Sequence, residues 1–236
     1  MKLSLLIAAS ALSGLGFARP AVVAERSELI VRQVSGTVKN DLLQDTTCRP
    51  YYLIIARGST EADNIGSTVG PALCSGLQSA LGASKIGCQG IGNAQGYTAS
   101  LADNTPTYDG GILTSKSAVA GAASIFNQVN TKCPNSKVVA TGYSQGTAVL
   151  YNSIEALPAN VKSKILGVTL FGYTANVPNK GQIPNYPASQ TKVFCSDSLG
   201  ADGVCTASEI TVNAAHLDYS SQYANGVAFL KGVIPA

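Results

Sequence analysis

Lys137-Val138-Val139-Ala140-Thr141-Gly142-Tyr143-Ser144-Gln145-Gly146-Thr147-Ala148-Val149-Leu150-Tyr151 runs from an apolar stretch through a Gly-x-Ser-x-Gly pentad into a helix-forming stretch. That order is the form of a nucleophile elbow, in which a strand ends in a sharp turn that lifts a serine hydroxyl clear of the sheet. The flanking glycines fit because a Cβ there would meet the neighbouring strand or helix. A bare pentad fits a Gly-rich turn with a surface serine equally well, so its meaning rests on the rest of the chain.

Outward from the pentad, strand and helix patterns alternate. Tyr51 to Arg57 is a continuous apolar and aromatic run of the kind that fills a parallel strand covered on both faces, and it ends in Gly58-Ser59-Thr60-Glu61. Val69, Leu73, Leu77 and Leu81 recur every four residues across Gly66 to Leu81, one buried helical stripe with Pro71 near its start. Lys85 to Gly90 reads as a second strand, followed by a polar, Gly-rich connection from Ile91 to Gly111, of a length that compact domains keep for function. The glycines at 90, 92 and 96 in that connection do not make a dinucleotide fingerprint, because the third comes one residue late and no helix begins there.

Leu113 to Val129 carries Val119, Ala122, Ala123 and Phe126 at helical spacing, and Cys133-Pro134 ends it. After the pentad a helix runs to about Ala156, and Asn160 is expected to cap another through Ile165. Gly167 to Gly172 and Gln190 to Cys195 supply two more strands, and an amphipathic helix from about Ser220 to Gly232 is expected to bury Val227, Phe229 and Leu230. The fold class is therefore α/β, a central five-stranded parallel sheet flanked by helices, with ligands at the carboxyl ends of the strands.

Met1-Lys2, an apolar stretch to Phe17 and small residues at Gly16 and Ala18 predict a signal peptide over 1–18, too short to span a bilayer. Residues 19–40 lack either period and read as a pro-segment or flexible N-terminal arm, leaving 41–236 as one domain. The expected product is secreted and extracellular, without integral membrane association. Six cysteines in an exported chain imply disulfides, and six allow 15 pairings. With no C-x-x-C pair and one histidine, no metal site is expected. The net charge is +3, and removing the four positive and two negative groups of the first 32 residues leaves +1. With charged residues only 12% of the chain, a phosphate-binding surface, and hence a nucleic-acid partner, is not expected.

A serine hydroxyl needs a base within hydrogen-bond reach, usually a histidine held by a carboxylate. His216 is the only histidine, and it follows the fifth strand, as the chain order Ser, Asp or Glu, His requires. Asp197, Asp202 and Glu209 lie in the interval open to the acid. A bond between Cys195 and Cys205 would pin the loop that carries Asp202. Acyl transfer also needs oxyanion donors, and the fold points to the backbone N–H of Gln145 and to the loop at Gly58-Ser59.

Ala56-Arg57-Gly58-Ser59-Thr60-Glu61, Thr131-Lys132-Cys133-Pro134, the pentad, Leu170-Phe171-Gly172-Tyr173-Thr174, Ile183-Pro184-Asn185-Tyr186-Pro187, Lys192-Val193-Phe194-Cys195, Asp202-Gly203-Val204-Cys205 and Ala215-His216-Leu217 together resemble the fungal cutinases from about Asp41 onward. The resemblance implies a small lidless α/β-hydrolase, secreted and free of cofactors, that cleaves esters of the plant polyester cutin and short-chain esters. A monomer is the expected state. By motif it implies Ser144 as nucleophile, Asp202 as acid, His216 as base, Ser59 and Gln145 as the oxyanion hole, and Asn104 as support for Ser59. It implies Cys48–Cys133 and Cys195–Cys205 bridges, which leaves Cys74 and Cys88 for each other. Two stretches depart from the family pattern. Ser196 to Val204 is longer, which keeps Asp197 as runner-up for the acid, and Thr206 to Asn213 is more polar and one residue longer where the family has an aliphatic rim. The alternatives are an acetylxylan esterase, which the stretch Phe171 to Tyr186 disfavours, and a non-catalytic surface-binding protein on the same scaffold.

Overall fold

A one-turn helix α1 (Asp41–Gln44) leads into β1 (Tyr51–Ala56) in the computed structural model, which describes residues 38–104, 113–206 and 211–235. The expected signal peptide and most of the arm over 19–40 lie outside the described residues. After β1 come α2 (Val69–Leu81), β2 (Ile86–Gly90), α3 (Lys116–Lys132), β3 (Lys137–Tyr143), α4 (Gln145–Ala156), a short α5 (Ala159–Lys162), β4 (Ile165–Phe171), β5 (Thr191–Phe194) and α6 (Tyr223–Val233). The five strands form one parallel sheet in the order β2-β1-β3-β4-β5. Consecutive parallel strands need long crossovers; α2, α3 and α4 supply the first three, and residues 172–190 connect β4 to β5.

Strand alternation builds two apolar layers. Tyr52, Ile54 and Ala56 of β1, with Val138 and Ala140 of β3, face α3 and α4 and pack on Ala122, Phe126, Val149 and Ile154. Leu53, Ile55 and Val139 point the other way, onto Val69, Leu73 and Leu77 of α2 and Leu230 of α6. With both faces covered, β1 and β3 read as unbroken apolar runs. The chain reverses direction across the sheet between β1 and β3, which opens a crevice at their carboxyl ends.

Three local expectations shift. Asn160 caps nothing: Pro158 stands at the N-cap of α5, that helix is a single turn, and Ile165 opens β4. In α3 the buried stripe is Ala118, Ala122, Ile125, Phe126 and Val129, so Val119 and Ala123 flank it. In α6 Leu230 is fully buried but Val227 and Phe229 only half so, because Gly226 turns inward, where a Cβ would lie 2.8 Å from the ring of Phe171.

The six cysteines are bonded as Cys48–Cys133, Cys74–Cys88 and Cys195–Cys205. The first spans 85 positions and ties the approach to β1 to the end of α3; the second spans 14 and joins α2 to β2. On loop-closure entropy the longer link is worth about 4.5 kcal/mol and the shorter about 3 kcal/mol. Denaturant unfolding of Cys48→Ser/Cys133→Ser and Cys74→Ser/Cys88→Ser should therefore show both midpoints lowered, the first more than the second; equal midpoints would contradict that ordering.

Candidate active site

Ser144 sits between β3 and α4 with φ 51° and ψ −124°, a conformation that non-glycine residues adopt only when their surroundings enforce it. The enforcement is visible. Ser144 N–H donates to Phe171 C=O at 2.9 Å, and Ser144 C=O accepts from Thr147 N–H at 2.8 Å and from Thr147 Oγ1 at 2.6 Å. A Cβ on Gly146 would lie 2.0 Å from Ala56 C=O, so only glycine lets α4 start against the end of β1.

His216, on a short 3-10 turn (Ala215–Leu217), places Nε2 2.9 Å from Ser144 Oγ. Its Nδ1 lies 3.0 Å from each oxygen of Asp202. His216 and Asp202 are almost wholly shielded from solvent, at 1% and 0% exposure. Three contacts seat His216. Its backbone N–H donates to Asn213 Oδ1 at 3.1 Å, its carbonyl accepts from the Tyr143 hydroxyl at 2.9 Å, and its ring stacks on Tyr143 at 5.5 Å between centroids. A Cβ on Gly172, at φ +61°, would lie 2.5 Å from His216 Cε1, so the chain leaving β4 must carry no side chain there.

Asp202 is the carboxylate brought to His216. Asp197 is exposed on the loop before it, and Glu209 lies outside the described residues. The Oδ1 of Asp202 accepts from Val204 N–H at 2.7 Å and Cys205 N–H at 3.2 Å, while Oδ2 accepts from the Tyr219 hydroxyl. Burial pushes this carboxyl up, but the hydrogen bonds from His216, Tyr219 and the Val204 amide more than offset it and hold it below its ordinary value. Burial, and after it the contact with Asp202, pushes the Tyr219 phenol up, so it stays a proton donor.

Across the crevice the loop after β1 carries Ser59, whose Oγ accepts from Asn104 Nδ2 at 2.9 Å. That leaves the Ser59 hydroxyl hydrogen free to be donated elsewhere. Gln145 opens α4, whose first N–H groups have no acceptor within the helix. Its side chain donates to Ser100 C=O at 2.9 Å and so joins the elbow to the turn before Asn104. Asn104, Leu113, Ser144, Gln145, Thr174, Val204 and Val212 line a cavity of about 230 Å³.

Glu61 shapes this loop, which sequence reading does not anticipate. Its carboxylate accepts from Gly58 N–H at 2.7 Å, Thr68 N–H at 3.0 Å and Thr68 Oγ1 at 2.6 Å. Arg57, buried, donates through Nε to Glu61 C=O at 2.8 Å and through Nη1 to Ile91 C=O at 3.2 Å. The phenols of Tyr143 and Tyr219 also went unread. Tyr143 is one of the two variable positions of the pentad and Tyr219 lies three residues past His216, and neither has a spacing that marks it.

A parallel α/β sheet with its serine on a strained turn at a strand end, backed by histidine and carboxylate, defines an α/β-hydrolase. The family model described as Cutinase matches residues 47–233. The chain belongs to the cutinase family, a family of carboxylic ester hydrolases of the serine esterase class. It is 45% identical over 215 residues to "Probable cutinase 3" of Neosartorya fischeri, covering 91% of this chain and 93% of that one. It is 45% identical over 219 residues to "Cutinase 1" of Fusarium vanettenii, covering 92% and 88%. The solved structure of a Trichoderma reesei cutinase in complex with a phosphonate inhibitor superposes with a TM-score of 0.69 at 29% identity, covering 91% and 87%.

The lowered Asp202 carboxyl has a consequence for acid stability. A carboxylate that binds its proton less readily folded than unfolded contributes stability above the ordinary value of 3.8, and the contribution is lost as pH falls through the lower folded value. The melting temperature of the wild type should therefore fall as pH drops from 3.8 toward the lower folded value. Asp202→Asn should drop less over the same range; parallel melting curves would show that Asp202 carries none of the effect.

Proposed function

We propose that the protein is a secreted serine esterase that hydrolyses the plant polyester cutin and short-chain esters through an acyl-enzyme on Ser144. The reading rests chiefly on one observation, the continuous line from Ser144 Oγ through His216 to Asp202, at 2.9 Å and 3.0 Å. Ser144 Oγ attacks the ester carbonyl carbon while His216 Nε2 takes its proton, and Asp202 holds the ring and stabilises the imidazolium. The carbonyl oxygen, now charged, is received by the Gln145 N–H and by Ser59, with Asn104 orienting the Ser59 hydroxyl. The tetrahedral species collapses as His216 protonates the leaving alkoxide. Water then attacks the acyl-enzyme with His216 again as base, releasing the acid and restoring Ser144.

Substrate class follows from the relatives and from the site. Two relatives carry cutinase in their names, and the cavity of about 230 Å³ suits a short acyl group better than a long chain. Leu101, Val212 and Leu217, each at least 60% exposed, give the surface apolar side chains that a waxy polymer can meet without desolvating charge. Three disulfides fit an oxidising compartment, and among the described residues no helix is long and apolar enough to cross a membrane. We take the working form to be a monomer, because every group of the proposed mechanism comes from one chain.

Hydrolysis of p-nitrophenyl esters of increasing chain length, with cutin and acetylated xylan as comparators, tests the assignment. Ser144→Ala should lose about 10⁴-fold or more in kcat, and the wild type should peak at short acyl chains. Preference for acetylated xylan over butyrate esters and cutin would overturn the substrate class; an active Ser144→Ala would overturn the nucleophile.

A further inference from the structure

Tyr219 has a buried phenol that the catalytic steps do not use. Its hydroxyl donates to Asp202 Oδ2 and accepts from Ser196 N–H at 3.3 Å. Ser196 is the root of the acid loop, and Asp202 N–H closes that loop by donating to Ser196 C=O at 3.0 Å. The phenol thus joins the acid's side chain to the start of the segment that presents it.

The arrangement on Asp202 is divided between its oxygens. Val204 and Cys205 amides hold Oδ1, Tyr219 holds Oδ2, and His216 Nδ1 sits 3.0 Å from both. Without the phenol, Oδ2 keeps only the imidazole among these donors, and the carboxylate can turn about its Cβ–Cγ bond toward the two amides. The ring itself is fixed independently of its hydroxyl, edge-on to Phe171 at 5.6 Å, to Tyr143 at 5.8 Å and to His216 at 6.4 Å.

Given the triad reading above, we propose that Tyr219 is a positioning residue for the catalytic acid: its hydroxyl fixes the Asp202 carboxylate plane and the root of the acid loop, keeping the carboxylate aligned with His216 Nδ1–H. The residue does not touch substrate. A tyrosine that merely fills the core would be replaced by phenylalanine without kinetic cost, since the ring contacts survive.

The titratable groups facing Asp202 are His216, Tyr219 and Tyr143, the last from β3. Removing the phenol removes a donor that shares the carboxylate charge, so the carboxylate favours the imidazolium more strongly and the acidic limb of kcat/KM, which reports protonation of the base, moves upward.

The test uses Tyr219→Phe, Asp202→Asn and their combination, assayed on p-nitrophenyl butyrate with kcat expressed per site titrated to completion by an organophosphonate, and Ser144→Ala, which has no titratable hydroxyl, with its rate expressed per mole of protein of wild-type circular dichroism. That normalisation removes any fraction that fails to fold. Tyr219→Phe should lower kcat about tenfold or more with KM within about twofold, and should shift the acidic limb to higher pH. In the Asp202→Asn background the same change should cost less than about twofold, because the effect passes through the carboxylate. An unchanged kcat and acidic limb in Tyr219→Phe, or an undiminished loss in the Asn background, overturns the proposal. A dead Ser144→Ala beside a fully active Tyr219→Phe removes the Tyr219 proposal alone, whereas an active Ser144→Ala removes the triad reading and this proposal together.

Discussion

The close approach of α4 to the end of β1 sets the geometry of the whole site. With only a hydrogen on Gly146, the helix starts against the Ala56 carbonyl, and the turn before it must then be tight enough to force Ser144 to φ 51°. That turn brings Ser144 and the first N–H groups of α4 to the same corner as the loop carrying Ser59, which leaves the sheet after Ala56. A larger residue at 146 would push the helix away from β1 and separate Ser144 Oγ from the loop at Ser59. The positions of the two are therefore coupled through one backbone contact, made at Ala56, the residue of β1 that pairs with Gly142 of β3.

The opposite wall of the crevice is organised by polar groups in a dry setting. Asp202 is completely buried, and a buried carboxylate persists only when donors replace the water it has lost. Here the imidazole, a phenol and two amides do so, with the result that the charge is kept where it can stabilise an imidazolium. Tyr143 links the two walls, since it belongs to the pentad yet clamps the His216 backbone through its hydroxyl and stacks on the ring. The loop around Ser59 is arranged in the same spirit, with Glu61 collecting backbone donors and Arg57 collecting backbone carbonyls.

The parts of this arrangement that were legible in the sequence are those governed by period, order or steric necessity. Five apolar runs alternating with helical stripes announced the parallel sheet, and the only histidine left one choice of base. Resemblance singled out Asp202, Asn104 and the cysteine pairs, which spacing left open. What could not be read depends on side chains reaching across the fold. Asn160 looked like a cap, but the chain behind Pro158 completes only one turn before the sheet reclaims it at Ile165. Glu61 carried no sign of its role, because its partners at Thr68 become neighbours only when the loop after β1 folds back. Tyr219 carried no motif, and its role depends on a contact 17 positions away along the chain.

The acid loop is anchored at both ends and free in the middle. The Cys195–Cys205 bond, the Asp202-to-Ser196 backbone bond and the Tyr219 phenol hold its base, while Leu199 is 64% exposed and a Cβ on Gly200 would meet nothing within 4 Å. Chain added at that tip costs little, since each doubling of loop length adds only about 0.6 kcal/mol of closure entropy. The tip is thus a permissive graft point a few residues from the triad, where evolution or an engineer can vary the rim while the chemistry below keeps its alignment.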